Sequence, residues 1–533
     1  MARFVSSKTG AIMPDRLFQL QPETSSCYEI SFEAYTATLV ARADKYAVSP
    51  FVISTIGGGG KTTTLFDLFL RYDNKRLVTL TSTTAMFAPL YCEREFARVA
   101  ENGSMPDALQ AVTLVDPPTS SGVWFQHPFE NIEGKYKGID KEVFDAHIRA
   151  LRMSNDPLFV EKMKNETKSD RVPLFLCEAD GSKRKPFKAH APHEPVIPET
   201  TDLTLILFGL SGLGKKCTED VVHHSDLFAN VIGIKEGDVI TFDHLVKLLK
   251  SGMFLKCIPP TSRVAVIFHQ TDTLPEDMRF HRKLRVWAKA VLDAPGIDAV
   301  FFRGKDPTKD HKITTYMGLA HDRPSRSLFS SILLAAGTSS RMPGYNKLLL
   351  PFGNEAVIVH TLRRIFAGPC RDIVIVTGHD LDAIRDVIKP VIQKDAPPDA
   401  RITVIYNPRY LEGQGTSVAC AATVLDESSM ACFCVPGDQP IVSPGTMRTL
   451  TEKATLNAIL VPCREDGSRA SPVLFGKDYY DELAALEGDV GGRQVMKRHP
   501  DALQLIKTGG SDLIYEDVDT MERYKHLINA LGL

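Results

Sequence analysis

Two stretches of this 533-residue sequence place glycines, hydroxyls and cations directly after an apolar run. One is FVISTIGGGGKTTT, residues 51–64, and the other is SILLAAGTSSRMPGYNKLLLPFG, residues 331–353. Glycine lets the backbone come close to a ligand. Backbone N–H and hydroxyl groups suit phosphate oxygens, and lysine or arginine neutralises a polyphosphate. In the second stretch Gly337 ends the apolar run, Thr338, Ser339 and Ser340 bring hydroxyls, and Arg341 and Lys347 bring charge. In the first, Gly57 to Gly60 precede Lys61 and Thr62, the strand, loop, Lys-Thr and helix order of a P-loop. Thr55 stands where that motif has its first glycine, so the loop is tighter. Lys61 is placed to reach phosphates, and Thr62 or Thr63 to ligate Mg²⁺. The alternative for either stretch is a solvated glycine turn.

Acids recur at the ends of neighbouring apolar runs. In ACFCVPGDQP (431–440) Asp438 follows a buried strand, and open α/β sheets gather their ligands outside such ends. An aspartate there holds Mg²⁺ together with phosphate oxygens, or simply caps a helix. LIYEDVDTMERY (513–524) repeats the form, with Asp517 and Asp519 expected after a short strand. PLFLCEADGS (173–182) offers Glu178 or Asp180 as the strand-end acid of a P-loop site, and LTSTT (80–84) adds hydroxyls. In KRKPFKAHAPHEP (183–195), Lys183, Arg184, Lys185, Lys188, His190 and His193 suit an anionic cofactor or a solvated basic loop. FHQTD (268–272) is a weak base-reading signal. His223-His224 reads as a structural pair in preference to a metal ligand pair.

These groups need a scaffold that aligns strand ends. Strand-like runs alternate with helical patterns along the whole chain, which predicts α/β layers with mostly parallel strands. FVISTI, RLVTLT, PLFLCEAD, LTLILFGL, RVAVIFHQ and AVFFRG form one series; SILLAAG, DIVIVTG, RITVIYN, ACFCVPGD and NAILVPC form another. Between them KDPTKDHKITTYMGLAHDRPSRS (305–327) reads as a domain end and linker. We therefore expect a P-loop-like α/β domain over 1–327 and a Rossmann-like domain with a mostly parallel sheet over 328–533; the length also favours more than one core. A net charge of −2 gives no global attraction to nucleic acid or an anionic membrane. The 10 cysteines form no CxxC pair and read as reduced thiols. With neither a signal-peptide core nor a run of membrane-spanning length, a cytoplasmic location is expected.

LLAAGTSSRM, NKLLLPF, VPGDQP, SPVLF, LEGDVGGR and EDVDTMERY together resemble the MobA-like nucleotidyltransferases, in particular the molybdenum cofactor cytidylyltransferases. The resemblance implies a nucleotidyltransferase that moves CMP from CTP to molybdopterin phosphate and releases pyrophosphate; AAG in place of AGG favours CTP over GTP. It implies that Ala335, Ala336, Gly337, Ser340 and Arg341 line the nucleotide and that Lys347 contacts its phosphates. Asp438 and Asp519 would bind Mg²⁺. EGQGTSVACAA, with Gly415 and Thr416, would lie near the base, and Asp489 and Arg493 would face molybdopterin. GGGGKTTT, TSTT, CEADGSKRKPFKAHAPHEPVIP and SGLGKKCTEDVVHH resemble the YqeC-type family, accessory to selenium-dependent molybdenum hydroxylases. That implies ATP or GTP at Gly57, Gly60, Lys61 and Thr62, and an apo-hydroxylase partner. A sugar-phosphate nucleotidyltransferase and a non-catalytic cofactor carrier are the alternatives.

Overall fold

The computed structural model describes residues 17–19, 27–45, 50–87, 112–114, 121–128, 135–153, 172–275, 279–306, 313–321, 329–397, 400–508 and 511–533. They fall into two compact units. The first holds the described residues within Ser26–Leu151 and Glu161–Ser325, the second those within Met1–Ser25, Arg152–Val160 and Arg326–Leu533. The expected boundary near residue 327 lies outside the described residues.

In the first unit the apolar runs become β1 (Phe51–Gly57), β2 (Val78–Ser82), β3 (Leu174–Glu178), β4 (Leu203–Gly209), β5 (Arg263–His269) and β6 (Ala299–Lys305). They lie parallel in the order β2, β3, β1, β4, β5, β6. Helix α1 (Lys61–Tyr72) follows the glycine loop after β1. The central strand β4, LTLILFG, is buried along its whole length, as a strand covered on both faces must be. Ile206 and Phe208 share a core with helices Ser225–Ile232, Phe242–Lys250 and Phe280–Leu292. Leu205 and Leu207 face the opposite core, with α1 and helix Phe32–Lys45. This two-sided cover follows from the period-2 alternation of side chains along a strand.

The stretch read as a linker is corrected in part. Residues Ile313–His321 form β7, antiparallel to β6 from Ala299 opposite Ala320 to Lys305 opposite Ile313. Most of β7 is only half-buried, so it carries polar residues that mask its β-branched and aromatic content. Cys27–Glu29 pairs beyond β7; Gly122–Phe125 and Val112–Leu114 extend the other edge, making ten strands among the described residues.

The second unit contains β8 (Phe329–Ala335), β9 (Asp372–Thr377), β10 (Arg401–Tyr406), α2 (Gln414–Ala422), β11 (Ala431–Pro436), β12 (Ile459–Cys463), β13 (Val473–Gly476) and β14 (Leu503–Lys507). The sheet order is Leu17–Gln19, β10, β9, β8, β11, β13, β12, β14. Strands β8 to β11 are parallel, while β13 and Leu17–Gln19 run antiparallel to their neighbours. The chain thus builds outward from β8 through β9 and β10, then returns to the other side of β8 as β11. This reversal is a topological switch point, where a crevice opens at the carboxyl ends of the strands. The short strand expected before Asp517 is instead a 3-10 turn, Asp512–Tyr515, whose Leu513 N–H is accepted by the Ser511 hydroxyl at 3.3 Å. The capping bond of Ser511 curls the chain into this turn in place of an extended strand. No helix among the described residues is long and apolar enough to cross a membrane.

The crossing from β11 to its following loop depends on Gly437. Its N–H donates to the Leu334 carbonyl at 2.9 Å, and a Cβ there would lie 2.5 Å from that oxygen. Gly437→Ala should therefore push β11 from β8 and cost about 1–3 kcal/mol, the scale of overpacking. Urea unfolding measures it; an unchanged midpoint would mean that the loop relaxes freely.

Candidate active site

At the switch point of the second unit lies a cleft of about 900 Å³. The loop after β8 forms one wall. A Cβ on Gly337 would meet nothing within 4 Å among the described residues, so the backbone there is open to a ligand. Ser339 adopts a left-handed φ of 55° and is itself buried; its hydroxyl accepts from the Lys347 N–H at 3.0 Å. That bond folds the intervening residues into a compact turn and aims the lysine side chain at the end of β11.

There Lys347 Nζ donates to Asp438 Oδ2 and, at 2.7 Å, to Asp519 Oδ1. Arg341 Nη1 donates to the other Asp519 oxygen. The segment carrying Asp519 is tied to the Asp438 loop: Val518 N–H donates to the Asp438 carbonyl at 2.9 Å, and Gln439 Nε2 to the Tyr515 carbonyl at 3.4 Å. Asp517 is held by Arg523 at 2.6 Å. Burial lowers the proton affinity of Lys347, but Asp438 and Asp519 outweigh it and hold the ammonium above the usual lysine range. Burial, with Asp517 and Asp519 adding to it, holds the Asp438 carboxyl above the usual carboxylate range although Lys347 opposes them. Burial would also raise Asp519, but Lys347, Arg341 and Arg523 bring it below the ordinary range. Two carboxylates beside an open glycine loop are a donor set that fits Mg²⁺.

Of the residues singled out by sequence, Ala336, Gly337, Ser340, Arg341, Lys347, Asp438, Asp489, Arg493 and Asp519 all line this one cleft. Ala335, Gly415 and Thr416 are not among its lining residues. The Ala335 side chain is buried within β8. A Cβ on Gly415 would strike the Gly488 and Glu487 carbonyls at 2.7 and 2.8 Å, so this glycine packs the start of α2 onto the GDVGGR loop. Thr416 is buried, its hydroxyl within reach of the Arg409 and Gly413 carbonyls as donor and accepting from Asn407. Gln414 and Ser417 line the cleft in their place, one residue to either side. Sequence reading also missed Arg464, Arg469 and Lys497. Their signal was faint, since they sit on separate elements with no common motif. With them the lining has six cations against five carboxylates, so the cleft is positive although the chain is not.

The glycine loop of the first unit is built differently. Gly57 N–H donates to Asp180 Oδ2 at 2.9 Å, Gly58 N–H to the Leu207 carbonyl at 2.7 Å, and Gly59 N–H to the Pro186 carbonyl at 3.3 Å. Lys61, almost fully buried, donates to the Gly57 and Gly58 carbonyls and pairs with Asp180 at 3.1 Å. In this conformation Gly57 and Lys61 thus close the loop on itself. Gly60, at φ 100°, lies against the His269 ring. Burial, with Arg303 adding to it, pushes His269 down to about 3, so its neutral ring shares a 2.6 Å bond with Thr64. That is a packing role for FHQTD. The N–H groups at the start of α1 have no partner four residues back within the helix, and Thr62 Oγ1 donates to Glu178 Oε2 at 2.8 Å. These groups, not the N–H groups of Gly57, Gly58 and Gly59, are what the loop can offer a phosphate and its metal.

Asp180 anchors this arrangement. It also meets His190 at 2.8 Å and Lys188 at 3.5 Å, so part of the basic stretch is neither solvated nor free to take an anion. Burial would raise its carboxyl, but Lys61, then His190 and Lys188, hold it well below the carboxylate range.

A glycine loop, a lysine and paired aspartates at the switch point of a mostly parallel sheet define a nucleotidyltransferase-type domain. Residues 331–503 match the MobA-like NTP transferase domain family, and residues 53–226 match the YqeC protein family. The chain is 30% identical over 260 residues to the uncharacterized protein YqeC of Escherichia coli (strain K12), across 46% of this chain and 90% of that protein. The chain therefore belongs to the YqeC family and carries, after that part, a MobA-like NTP transferase domain. It is 28% identical over 151 residues to the molybdenum cofactor cytidylyltransferase of Escherichia coli (strain K12), across 28% of this chain and 71% of that protein. It is 30% identical over 141 residues to a probable molybdenum cofactor guanylyltransferase of Methanosarcina mazei, across 26% of this chain and 60% of that protein.

Asp180→Asn should leave Lys61 and Lys188 buried without their shared counter-charge. The expected loss of stability is about 3–5 kcal/mol, the cost of breaking a buried ion pair by removing one partner. Denaturant unfolding of the full chain measures it. A loss under about 1 kcal/mol, the scale of an exposed pair, would mean that the cluster does not hold the loop.

Proposed function

We propose that the second unit transfers CMP from CTP to the phosphate of molybdopterin and releases pyrophosphate. The observation that carries this reading is Lys347 seated between Asp438 and Asp519 beside the open Gly337 loop. The names of the two molybdenum cofactor transferases support the acceptor, and the AAG form of the loop supports cytidine. A phosphate oxygen of the acceptor attacks the α-phosphorus, the bond to the bridging oxygen breaks, and its electron pair leaves with pyrophosphate. The acceptor phosphate is already ionised near neutral pH, so no general base is required. Both reactants are anions, and the site's task is to neutralise and align them. Mg²⁺, held by Asp438 and Asp519, would supply charge neutralisation on the phosphate oxygens. Lys347 and Arg341 would then exchange their carboxylate partners for the leaving phosphates. Asp489, whose Oδ1 accepts from the first N–H of α2 at 3.3 Å, and Arg493 would position the acceptor.

In the first unit the same proposal gives ATP or GTP, with Mg²⁺, to the start of α1, and a role in maturing a molybdenum hydroxylase, including selenium-dependent ones. Thr62 and Glu178 are the residues to test. Thr62→Val should weaken Mg·ATP or Mg·GTP binding by about tenfold, roughly 1.4 kcal/mol and the scale of one hydrogen bond to a charged group, with the melting temperature kept. Calorimetric titration of the full chain reads it; equal binding by variant and parent would return the loop to a purely structural role.

For the transferase, Asp438→Asn keeps the side-chain size and leaves Lys347 paired with Asp519. Pyrophosphate release from CTP with molybdopterin and Mg²⁺ should fall by at least about a hundredfold, the scale of one electrostatic stabiliser. A melting curve should shift by only a few degrees. An active variant would remove Asp438 from the metal assignment. A nucleotide panel containing GTP and an acceptor panel containing sugar phosphates test the substrates; release without acceptor preference would sink the molybdopterin reading.

A further inference from the structure

We propose that Glu194, His223 and His224 form a site in the first unit for one divalent transition-metal ion of the zinc type. Two segments far apart in sequence are joined there by a short parallel pairing, Phe187–Lys188 with Val222–His223, in which Lys188 stands opposite His223. The Ala189 N–H donates to the His223 carbonyl at 3.0 Å and continues that lock. His224 follows at φ 62°, a left-handed conformation uncommon for a residue with a side chain. The two imidazoles stack, with ring centroids 4.1 Å apart and planes 19° apart. Glu194 completes the group: its Oε2 lies 3.3 Å from His224 Nε2. One ligand atom from each of the three residues falls within 4.8 Å of the others. Bonds of about 2.0–2.1 Å from zinc to nitrogen and oxygen put tetrahedral ligands about 3.3 Å apart, the spacing the Glu194–His224 pair already has.

A second observation points the same way. His223 is buried, and its Nδ1 has no hydrogen-bond partner among the described residues. A buried polar atom left without a partner is costly and calls for an explanation; a bound ion at this cluster supplies one. Lys188 contacts Glu194 Oε1 at 3.0 Å, which leaves Oε2 on the histidine side. That ammonium is shared with Asp180, so it does not face the ion as an uncompensated charge. Two imidazoles and one carboxylate select zinc and its neighbours over Mg²⁺ or Ca²⁺. Three protein ligands leave at least one position for water or an external ligand, the pattern of sites that act on something and not of purely structural ones.

The test titrates untagged, metal-stripped full chain with Co²⁺ and then Zn²⁺, in excess Mg²⁺ to fill carboxylate sites. One equivalent of Co²⁺ should bind with the visible absorption of a four-coordinate ion, and Zn²⁺ should displace it. His224→Asn, which tolerates a left-handed backbone, and Glu194→Gln should each lower affinity by at least about tenfold. Melting curves establish that the variants fold; if one does not, the other decides. No stoichiometric binding, or parent-like binding by the folded variants, would leave only a close His–Glu contact and overturn the site.

Discussion

Lys61 and Lys347 each follow a glycine loop at the carboxyl edge of a parallel sheet, and each is neutralised by an aspartate from a neighbouring strand end. Neither lysine could occupy that position alone, because taking an unpaired ammonium out of water costs several kcal/mol. The aspartates face the reciprocal constraint. Each unit therefore needs a sheet order that brings the two strand ends side by side. In the second unit β8 and β11 are direct neighbours, and in the first β1 and β3 are. The pairing of charges and the pairing of strands specify one another, and the loops between are shaped to connect them.

The glycines record that shaping. Gly437 lets the loop after β11 touch the β8 backbone, while Gly337 keeps its surroundings open. Gly58 does the opposite of Gly337: a Cβ there would lie 2.0 Å from the Pro186 carbonyl, so the first unit's loop is packed shut from outside. The same residue type thus serves close packing in one loop and ligand access in the other. Motif matching cannot tell these uses apart; what lies within 4 Å of the absent side chain can.

This explains how far the sequence could be read. Strands β1, β4, β8 and β11 were legible because a strand covered on both faces must be almost continuously apolar. Asp438 was legible because such a run stops at Pro436-Gly437 and an acid follows. β7 was not, since a half-buried strand needs no such run. Asp180 was legible as an acid but not as a hub, because its partners Lys188 and His190 arrive through the pairing of Phe187–Lys188 with Val222–His223. Arg464, Arg469 and Lys497 share the cleft only because the second sheet brings separate elements to one edge. Gly415 and Thr416 show the reverse case: Gln414 and Ser417 on either side of them line the cleft and they do not, because the side of α2's first turn that faces the cleft is set by the docking of the GDVGGR loop.

The two lysine–aspartate pairs also differ in a way that separates their uses. Lys61 and Asp180 are 2% and 1% exposed, whereas Lys347 is 20% exposed and its partners Asp438 and Asp519 are 10% and 21%. A sealed pair cannot exchange partners without first admitting water or unfolding its cover, so it acts as a fixed clamp on the loop. On the proposed reading, a pair at the mouth of a cleft would open to an incoming polyphosphate, which would offer the ammonium new oxygens. The ligand would then replace charges that the lysine and its carboxylates already balance, and little net desolvation would be added when it entered. Partner exchange is thus open to the second unit and closed to the first. Ligand chemistry in the first unit has to be sought at groups outside its clamp, at the start of α1 and at the paired histidines.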